Sequence, residues 1–343
     1  MGVVRQARES NMELLRIVSM LMVLLLHANF LVFGTPTAAD ATCQPVATFI
    51  RLFIESVSIV GVNLFVFISG WYGIKAKLRR IAAFLFQVFF FVAVCYGAEV
   101  MVLGTNTFSF SYLFHLLRMD SYWFAQAYLI LYVLSPALNK FIEHSQHRDH
   151  LLLLISLFVV QTVFGWLGNE WYRGDGDSPL TFLFVYLLAA YVRRYSLLQS
   201  FFSGRLLFMA FGVILVGSLL AFGMSVFDHR LASLFYKHTS PLVLLEVTLI
   251  GVAFSKFHFR SQAINFVAAS CFAVYLLNCY PASLDYYIHT VREWFGSEPV
   301  GCFVIYVSVF VLANFLVALL IDQPRIAIWN FIQKQLDYKR QSK

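Results

Sequence analysis

Long apolar runs separated by short polar stretches dominate the pattern of this chain. A helix needs about 20 mainly apolar residues to cross a bilayer, and ten runs approach or exceed that length. Because the runs are continuous rather than alternating, they favour helices over a membrane barrel. The pattern predicts an all-α polytopic membrane protein of about ten transmembrane helices, in a single integral membrane domain over 1–343. The predicted spans lie near 12–33, 46–73, 79–103, 121–141, 149–168, 178–196, 205–226, 239–257, 263–284 and 299–321.

Composition supports a membrane environment. The chain is 60% hydrophobic and 13% charged, whereas soluble domains are about 25% charged. The first apolar run is too long for the core of a secretory signal and contains two ionisable residues, so we expect it to remain as the first helix. There is no Cys and His spacing of a zinc site, and no metal is expected.

Lysine and arginine are distributed unevenly between the two sets of loops. If the N-terminus is cytoplasmic, eighteen of the 25 basic residues fall on the cytoplasmic side and five on the other. Cytoplasmic loops of membrane proteins carry an excess of these residues. Both termini are therefore predicted to be cytoplasmic. The net charge of +7 then reflects topology and contact with anionic membrane lipids, so no nucleic acid partner is expected.

Two ionisable residues share one face of the first predicted helix. Arg16 and His27 are eleven residues apart, about three turns and roughly 16 Å along a helix. Ionisable side chains within a span are costly and usually face the bundle interior or a wet cavity. Arg16 can instead pair with Glu13 or extend to the headgroups, and His27 can hydrogen-bond a neighbouring helix. Imidazole is also the most common general base, which makes the pair a candidate catalytic site.

Polar residues also mark the second predicted helix and the loop after it. Arg51 and Glu55 lie one turn apart, so either they form an internal ion pair or they contact a substrate. Asn63 follows within the same helix. Juxtamembrane basic clusters commonly bind anionic lipid or fix topology, but arginine forks also suit the phosphates of a donor such as coenzyme A. The basic residues of this loop are Lys75, Lys77, Arg79 and Arg80.

Several short motifs occur in order along the chain. The first helix reads NMELLR and continues to His27, and the second ends in LFVFISGWYG before the basic cluster. Later come YWF at 122–124, LYVLSP at 131–136 and DQP at 322–324. Together these motifs resemble the membrane-bound acyltransferase family 3, whose first-helix signature is Arg-x10-His. The resemblance is strongest to bacterial members that O-acetylate surface polysaccharides or lipid-linked sugars, and it implies ten spans in the bacterial inner membrane.

The resemblance implies transfer of an acyl group, most commonly acetyl, from cytoplasmic acetyl-CoA to a hydroxyl of a polysaccharide or lipid-linked sugar. His27 is expected to act as the base or to carry the acyl group, and Arg16 to position the donor or stabilise negative charge. The basic cluster is expected to hold the coenzyme A phosphates. Many members of the family have a histidine late in the ninth span, where this chain has Asn278. The amide of Asn278 can orient a substrate hydroxyl. The acceptor-side candidates are Trp123, Asn63, Glu55 and Asn278.

A transporter of a glycan or small anion is the alternative, because it would use the same intramembrane charges. The sequence shows no pair of Gly- or Pro-broken helices in corresponding halves and no evident inverted repeat, which favours the enzyme. A catalytically silent scaffold would leave the spacing of Arg16 and His27 without an explanation.

Overall fold

A computed structural model describes residues 9–102, 109–119, 121–168 and 178–341. Arg5, Arg8, Arg173 and Lys343, which contribute to the predicted orientation, lie outside the described residues. All regular structure in the described ranges is helical, and a π-helical turn at Gln161–Trp166 follows α8. The helices are α1 Asn11–Ala28, α2 Phe30–Phe33, α3 Ala38–Cys43, α4 Pro45–Tyr72, α5 Leu78–Val102, α6 Phe110–Leu117, α7 Trp123–His144, α8 His147–Val160, α9 Pro179–Arg194, α10 Ser203–Ser225, α11 His229–Ser233, α12 Pro241–Ser255, α13 Gln262–Ala268, α14 Cys271–Asn278, α15 Pro281–Ser297 and α16 Val300–Gln341.

The helices confirm a polytopic, all-α membrane protein. In the described part, seven helical segments are long and apolar enough to cross a membrane, or eight if a bent pair forms one span. The seven correspond to the first, second, third, fifth, seventh, eighth and tenth predicted spans, and the bent pair covers the ninth. The fourth and sixth predicted spans coincide with α7 and α9, which are not among these segments. Helix α9 has only 16 residues.

Each predicted span was expected to form one continuous helix that ends where its apolar run ends. Three spans differ from this expectation. The first breaks at Asn29, whose side chain bonds to α4. The ninth is divided among α13, α14 and α15, and Pro281 begins α15 because proline suits the first turn of a helix. The tenth continues for 20 residues past 321 to Gln341. A helix end is therefore set by local partners as well as by hydropathy.

The chain divides into two compact units, and α4 is the central helix of the larger one, Met1–Lys75 with Ala127–Ala268. It packs against α1, α9, α10 and α12. Glycines permit the closest approaches, because a Cβ added at Gly61 would lie 2.7 Å from the Ser19 carbonyl oxygen. A Cβ at Gly70 would lie 2.8 Å from Cα of Tyr186. Helices α1 and α9 therefore contact the α4 backbone directly.

The smaller unit, Ala76–Gln126 with Ala269–Lys343, is built around a buried aspartate. Asp322 is fully buried in α16 and pairs with Arg325, whose Nη2 lies 2.7 Å from Oδ2. Ser270 donates to the same oxygen over 2.8 Å, and Gln87 of α5 donates to Oδ1 over 3.2 Å. A buried charge is tolerated when it is paired and hydrogen-bonded. This network explains how α16 carries a charged residue past the end of its apolar run.

We expect Gly70→Ala to destabilise the protein by about 1–3 kcal/mol, because the added methyl would collide with the α9 backbone. Gly212→Ala is the matched control, because a Cβ there has no neighbour within 4 Å among the described residues. Alanine also favours a helix over glycine by about 0.5–1 kcal/mol. Thermal unfolding of the detergent-purified variants measures both effects. Equal melting temperatures for the two variants would contradict close α4–α9 packing at this glycine.

Candidate functional site

Arg16 and His27 both lie on α1, which is continuous from Asn11 to Ala28. The structure therefore keeps the roughly 16 Å separation that the helix rise implies, with the two residues nearly in register. Both residues are partly buried. His27 lies in the last turn of α1, whereas Arg16 lies near its start. They can therefore act on two separate parts of an extended substrate.

Arg16 belongs to a polar layer near the start of α1. Its Nη1 lies 2.9 Å from Oε2 and 3.1 Å from Oε1 of Glu13, so the predicted pairing with Glu13 is confirmed. The Glu13 side chain is 5% exposed and that of Arg16 is 28% exposed. The Arg16 charge also acts on Tyr128, whose hydroxyl lies 3.0 Å from Ser69 Oγ. Part of the guanidinium stays accessible while its carboxylate partner is buried.

The α1 end that carries His27 is tied to α4 by a second polar group. Asn29 donates to the Arg51 carbonyl over 2.8 Å and to Oε2 of Glu55 over 2.9 Å. Glu55 is buried. Arg51 instead donates to the Gly34 carbonyl over 2.6 Å. In the described part no carboxylate oxygen lies within 4 Å of Arg51, so Arg51 and Glu55 make no direct ion-pair contact, although each charge acts electrostatically on the other.

The short helix α3, which precedes α4, carries a further carboxylate in its first turn. Asp40 accepts hydrogen bonds of 2.8 Å from the Thr37 backbone N–H and from its hydroxyl. These bonds, and more weakly the Arg51 charge, lower the pKa of the Asp40 carboxyl. Because the folded-state pKa is depressed, this contribution to stability is present above the unfolded pKa and is lost as the pH falls through the folded value.

Asn63 contacts a polar segment that the sequence interpretation missed. It is fully buried, and its amide donates to the His238 carbonyl over 2.9 Å. His238 belongs to the run Lys237-His238-Thr239-Ser240, and all four residues are buried. Irregular backbone at membrane depth occurs where it is buried in protein or lines a cavity. The sequence signal that could have indicated this buried segment was a run of four polar residues directly before an apolar run.

A second buried carboxylate, Glu246, was also missed. It lies in α12 and is 2% exposed. Glu246 and Glu55 both act electrostatically on Tyr236, whose hydroxyl donates to the Leu52 carbonyl over 3.1 Å. Among the described residues no three His, Cys, Asp or Glu side chains form a group that could hold a metal ion. The signal in the sequence was a lone glutamate inside the eighth predicted span.

The smaller unit holds the other two acceptor-side candidates. Trp123 begins α7 and is half-buried, whereas Asn278 ends α14 and is buried. The Tyr122 hydroxyl donates to the Leu276 carbonyl over 3.1 Å. The structure therefore brings the segments of Trp123 and Asn278 together.

The basic cluster is divided between the units. Lys75 ends the larger unit, and Lys77, Arg79 and Arg80 belong to the smaller one. Arg79 forms a two-point contact with Asp337 of α16, at 2.9 and 3.3 Å. All four basic residues are exposed. A phosphate bound by Arg79 would have to displace Asp337 or share the guanidinium with it.

Comparison with known proteins decides the family. Residues 9–322 match the family model described as an acyltransferase domain, acyltransferase family 3. The chain belongs to acyltransferase family 3. No curated protein matches the chain significantly, and neither does any solved structure. The matched range includes Arg16, His27 and every other candidate site residue of this acyltransferase, and the match supports acyltransferase activity in general.

The Arg16–Glu13 pair allows structural and functional roles in the acyltransferase to be separated. Arg16→Ala removes a charged partner from a buried carboxylate, which we expect to cost about 1–3 kcal/mol. Arg16→Ala with Glu13→Gln should recover most of that stability in thermal unfolding. Acyl transfer should remain at least about tenfold below wild type in both variants. Recovery of stability and activity together would show that Arg16 only neutralises Glu13.

Proposed function

We propose that this acyltransferase moves an acyl group, with acetyl as the expected group, from cytoplasmic acyl-CoA to a hydroxyl of a cell-surface polysaccharide or lipid-linked sugar. The observation that carries the proposal is the placement of Arg16 and His27 on one face of a continuous helix in a member of this family. A guanidinium at one end and an imidazole at the other suit an anionic donor and a hydroxyl acceptor.

In this mechanism His27 removes the proton from the acceptor hydroxyl. The hydroxyl oxygen attacks the thioester carbonyl carbon, the carbon–sulfur bond breaks, and coenzyme A leaves as a thiolate. His27 then returns the proton to that thiolate, so the imidazole is regenerated. Each acyl group transferred thus yields one ester and one free thiol.

Arg16 acts on the donor at a distance from the reacting carbon. Roughly 16 Å of helix separates it from His27, which is too far for both side chains to contact one carbonyl. Side chains on a helix also point towards its N-terminus, away from His27 in the case of Arg16. We therefore assign Arg16 to positioning the donor, whose extended arm can reach from Arg16 to His27. The basic residues Lys75, Lys77, Arg79 and Arg80 are proposed to attract its phosphates.

In the larger unit the acceptor is proposed to contact Asn63 and Glu55, and in the smaller unit Trp123 and Asn278 stay candidates for acceptor contact by themselves. Amide and carboxyl groups can hydrogen-bond sugar hydroxyls, and an indole ring can stack on a sugar ring. The proposal places ten spans in a bacterial inner membrane with both termini cytoplasmic, in a single acyltransferase domain. The loops predicted on the same side of the membrane as the N-terminus carry the excess of basic residues, which supports that orientation.

A transporter of a glycan or small anion is the second candidate, and one observation favours it. The α13–α14 segment and α15 are bent by 84° at the break after Asn278, which is the form of a discontinuous membrane helix. Transporters of that kind pair such breaks in two repeats. The described segments include one bent pair of this type.

His27→Ala should lower transfer of radiolabelled acetyl groups from acetyl-CoA to glycan by roughly 100- to 10,000-fold, the usual contribution of a general base. His289→Ala is the matched control, because that histidine is 81% exposed on α15. The control should transfer at the wild-type rate. If a correctly folded His27→Ala protein transferred acetyl groups at the wild-type rate, the assignment of His27 as the general base would be wrong.

Proteoliposomes separate the enzyme from the transporter. The proposed enzyme should modify externally added glycan only when acyl-CoA is enclosed, and glycan entry should be no faster than in empty vesicles. Glycan uptake at one rate with and without acyl-CoA would instead support transport.

A further inference from the structure

A cavity opens in the larger unit where three helices end together. It has a volume of about 460 Å³ and is lined by the C-terminal residues of α4, α7 and α9. Ligand sites for small molecules and cofactors are typically about 300–1,000 Å³. The residues used below are Tyr72 of α4, Glu143 of α7, and Arg193 and Arg194 of α9.

Two adjacent arginines supply the positive charge of this cavity. Arg193 donates to the Trp71 carbonyl, and Arg194 donates to the Glu143 carbonyl over 3.3 Å. Each guanidinium has five N–H donors, so these single bonds orient each fork while leaving donors for a ligand. Both side chains are exposed.

Arg193 and Arg194, like Arg51, have no carboxylate oxygen within 4 Å in the described part of the chain, whereas four other arginines do. Arg16, Arg79, Arg260 and Arg325 each lie within 4 Å of a carboxylate oxygen. Glu143 also lines the cavity, but the contact that orients Arg194 uses its backbone oxygen. The two guanidinium charges exceed the single carboxylate charge of Glu143, and the partial negative charge of three helix C-termini offsets the remainder. Anion binding here therefore depends on the N–H donors of the two forks that the carbonyl contacts leave unused.

An aromatic ring lies beside the charges. The Arg193 guanidinium carbon is 5.8 Å from the Tyr72 ring centroid, and Tyr72 is 49% exposed. An exposed ring next to oriented guanidinium groups can stack on a base while the forks bind phosphates. The chemistry matches a phosphorylated nucleotide better than a simple anion, which needs no ring.

We propose that this cavity binds the nucleotide part of coenzyme A, with Arg193 and Arg194 on its phosphates and Tyr72 against the adenine. The inference rests on the proposed function, because it names where the acyl-CoA donor is held. It adds a site that the first-helix signature and the loop cluster do not include. In the proposed orientation the cavity opens to the cytoplasm, where the donor is made available.

Binding of coenzyme A and of pantetheine, which lacks the nucleotide, tests the site without requiring turnover. Isothermal titration of the wild-type protein in nanodiscs should show at least about tenfold tighter binding of coenzyme A. Arg193→Gln with Arg194→Gln should abolish that preference, whereas Arg193→Lys with Arg194→Lys should retain part of it because charge remains without the fork. Tyr72→Ala should weaken coenzyme A binding more than Tyr72→Phe.

Arg205→Gln is the matched control, because Arg205 is exposed near the start of α10 and contacts the Phe201 ring rather than the cavity. It should keep the full preference for coenzyme A. If the glutamine double variant does not fold, Arg194→Gln alone replaces it and should reduce the preference at least about threefold.

The outcomes distinguish this site from the proposed function. A folded glutamine variant that still prefers coenzyme A would overturn the cavity assignment and leave acyl-CoA as the donor. That result would identify the two arginines as caps of helix carbonyls only. A wild-type protein that transfers no acetyl group and binds no coenzyme A would overturn both proposals.

Discussion

Close packing of α1 against α4 is the constraint on which the larger unit depends. Gly61 lets the Ser19 carbonyl approach the α4 backbone, and Asn29 bonds to α4 nearer its start. Because α1 is fixed at both levels, the face that carries Arg16 and His27 has a defined position against α4. A larger residue at Gly61 would therefore disturb the candidate site as well as the core.

Three buried carboxylates in the described part of the chain are held by specific partners. Glu13 has Arg16, Glu55 has Asn29, and Asp322 has Arg325 with Ser270 and Gln87. Without such partners, polar groups at membrane depth cost several kcal/mol each. A charged group such as Arg16 can therefore both stabilise the fold and take part in the chemistry. Paired substitutions at Arg16 and Glu13 are needed to separate the two roles.

The length of α1 shapes the proposed chemistry. Two functional groups separated by roughly 16 Å on one rigid helix cannot share a reacting atom. In the proposed mechanism they act on two parts of a long donor, whose charged nucleotide stays at the cytoplasmic face while its thioester arm reaches His27. The cavity at the ends of α4, α7 and α9 fits that division, because the nucleotide proposed to bind there would stay at the edge of the larger unit.

The sequence by itself determined the helical class, most span positions and the Arg16–His27 spacing, because hydropathy and helix periodicity are local properties set by the bilayer. It also indicated the family. The tertiary structure decided which distant groups meet. Arg193 with Trp71, Asn63 with His238, and Gln87 with Asp322 are contacts between residues more than 100 positions apart. Likewise, Arg51 bonds to a loop carbonyl instead of Glu55 because α2 ends beside it. Such contacts depend on how helices pack, which a local pattern does not encode.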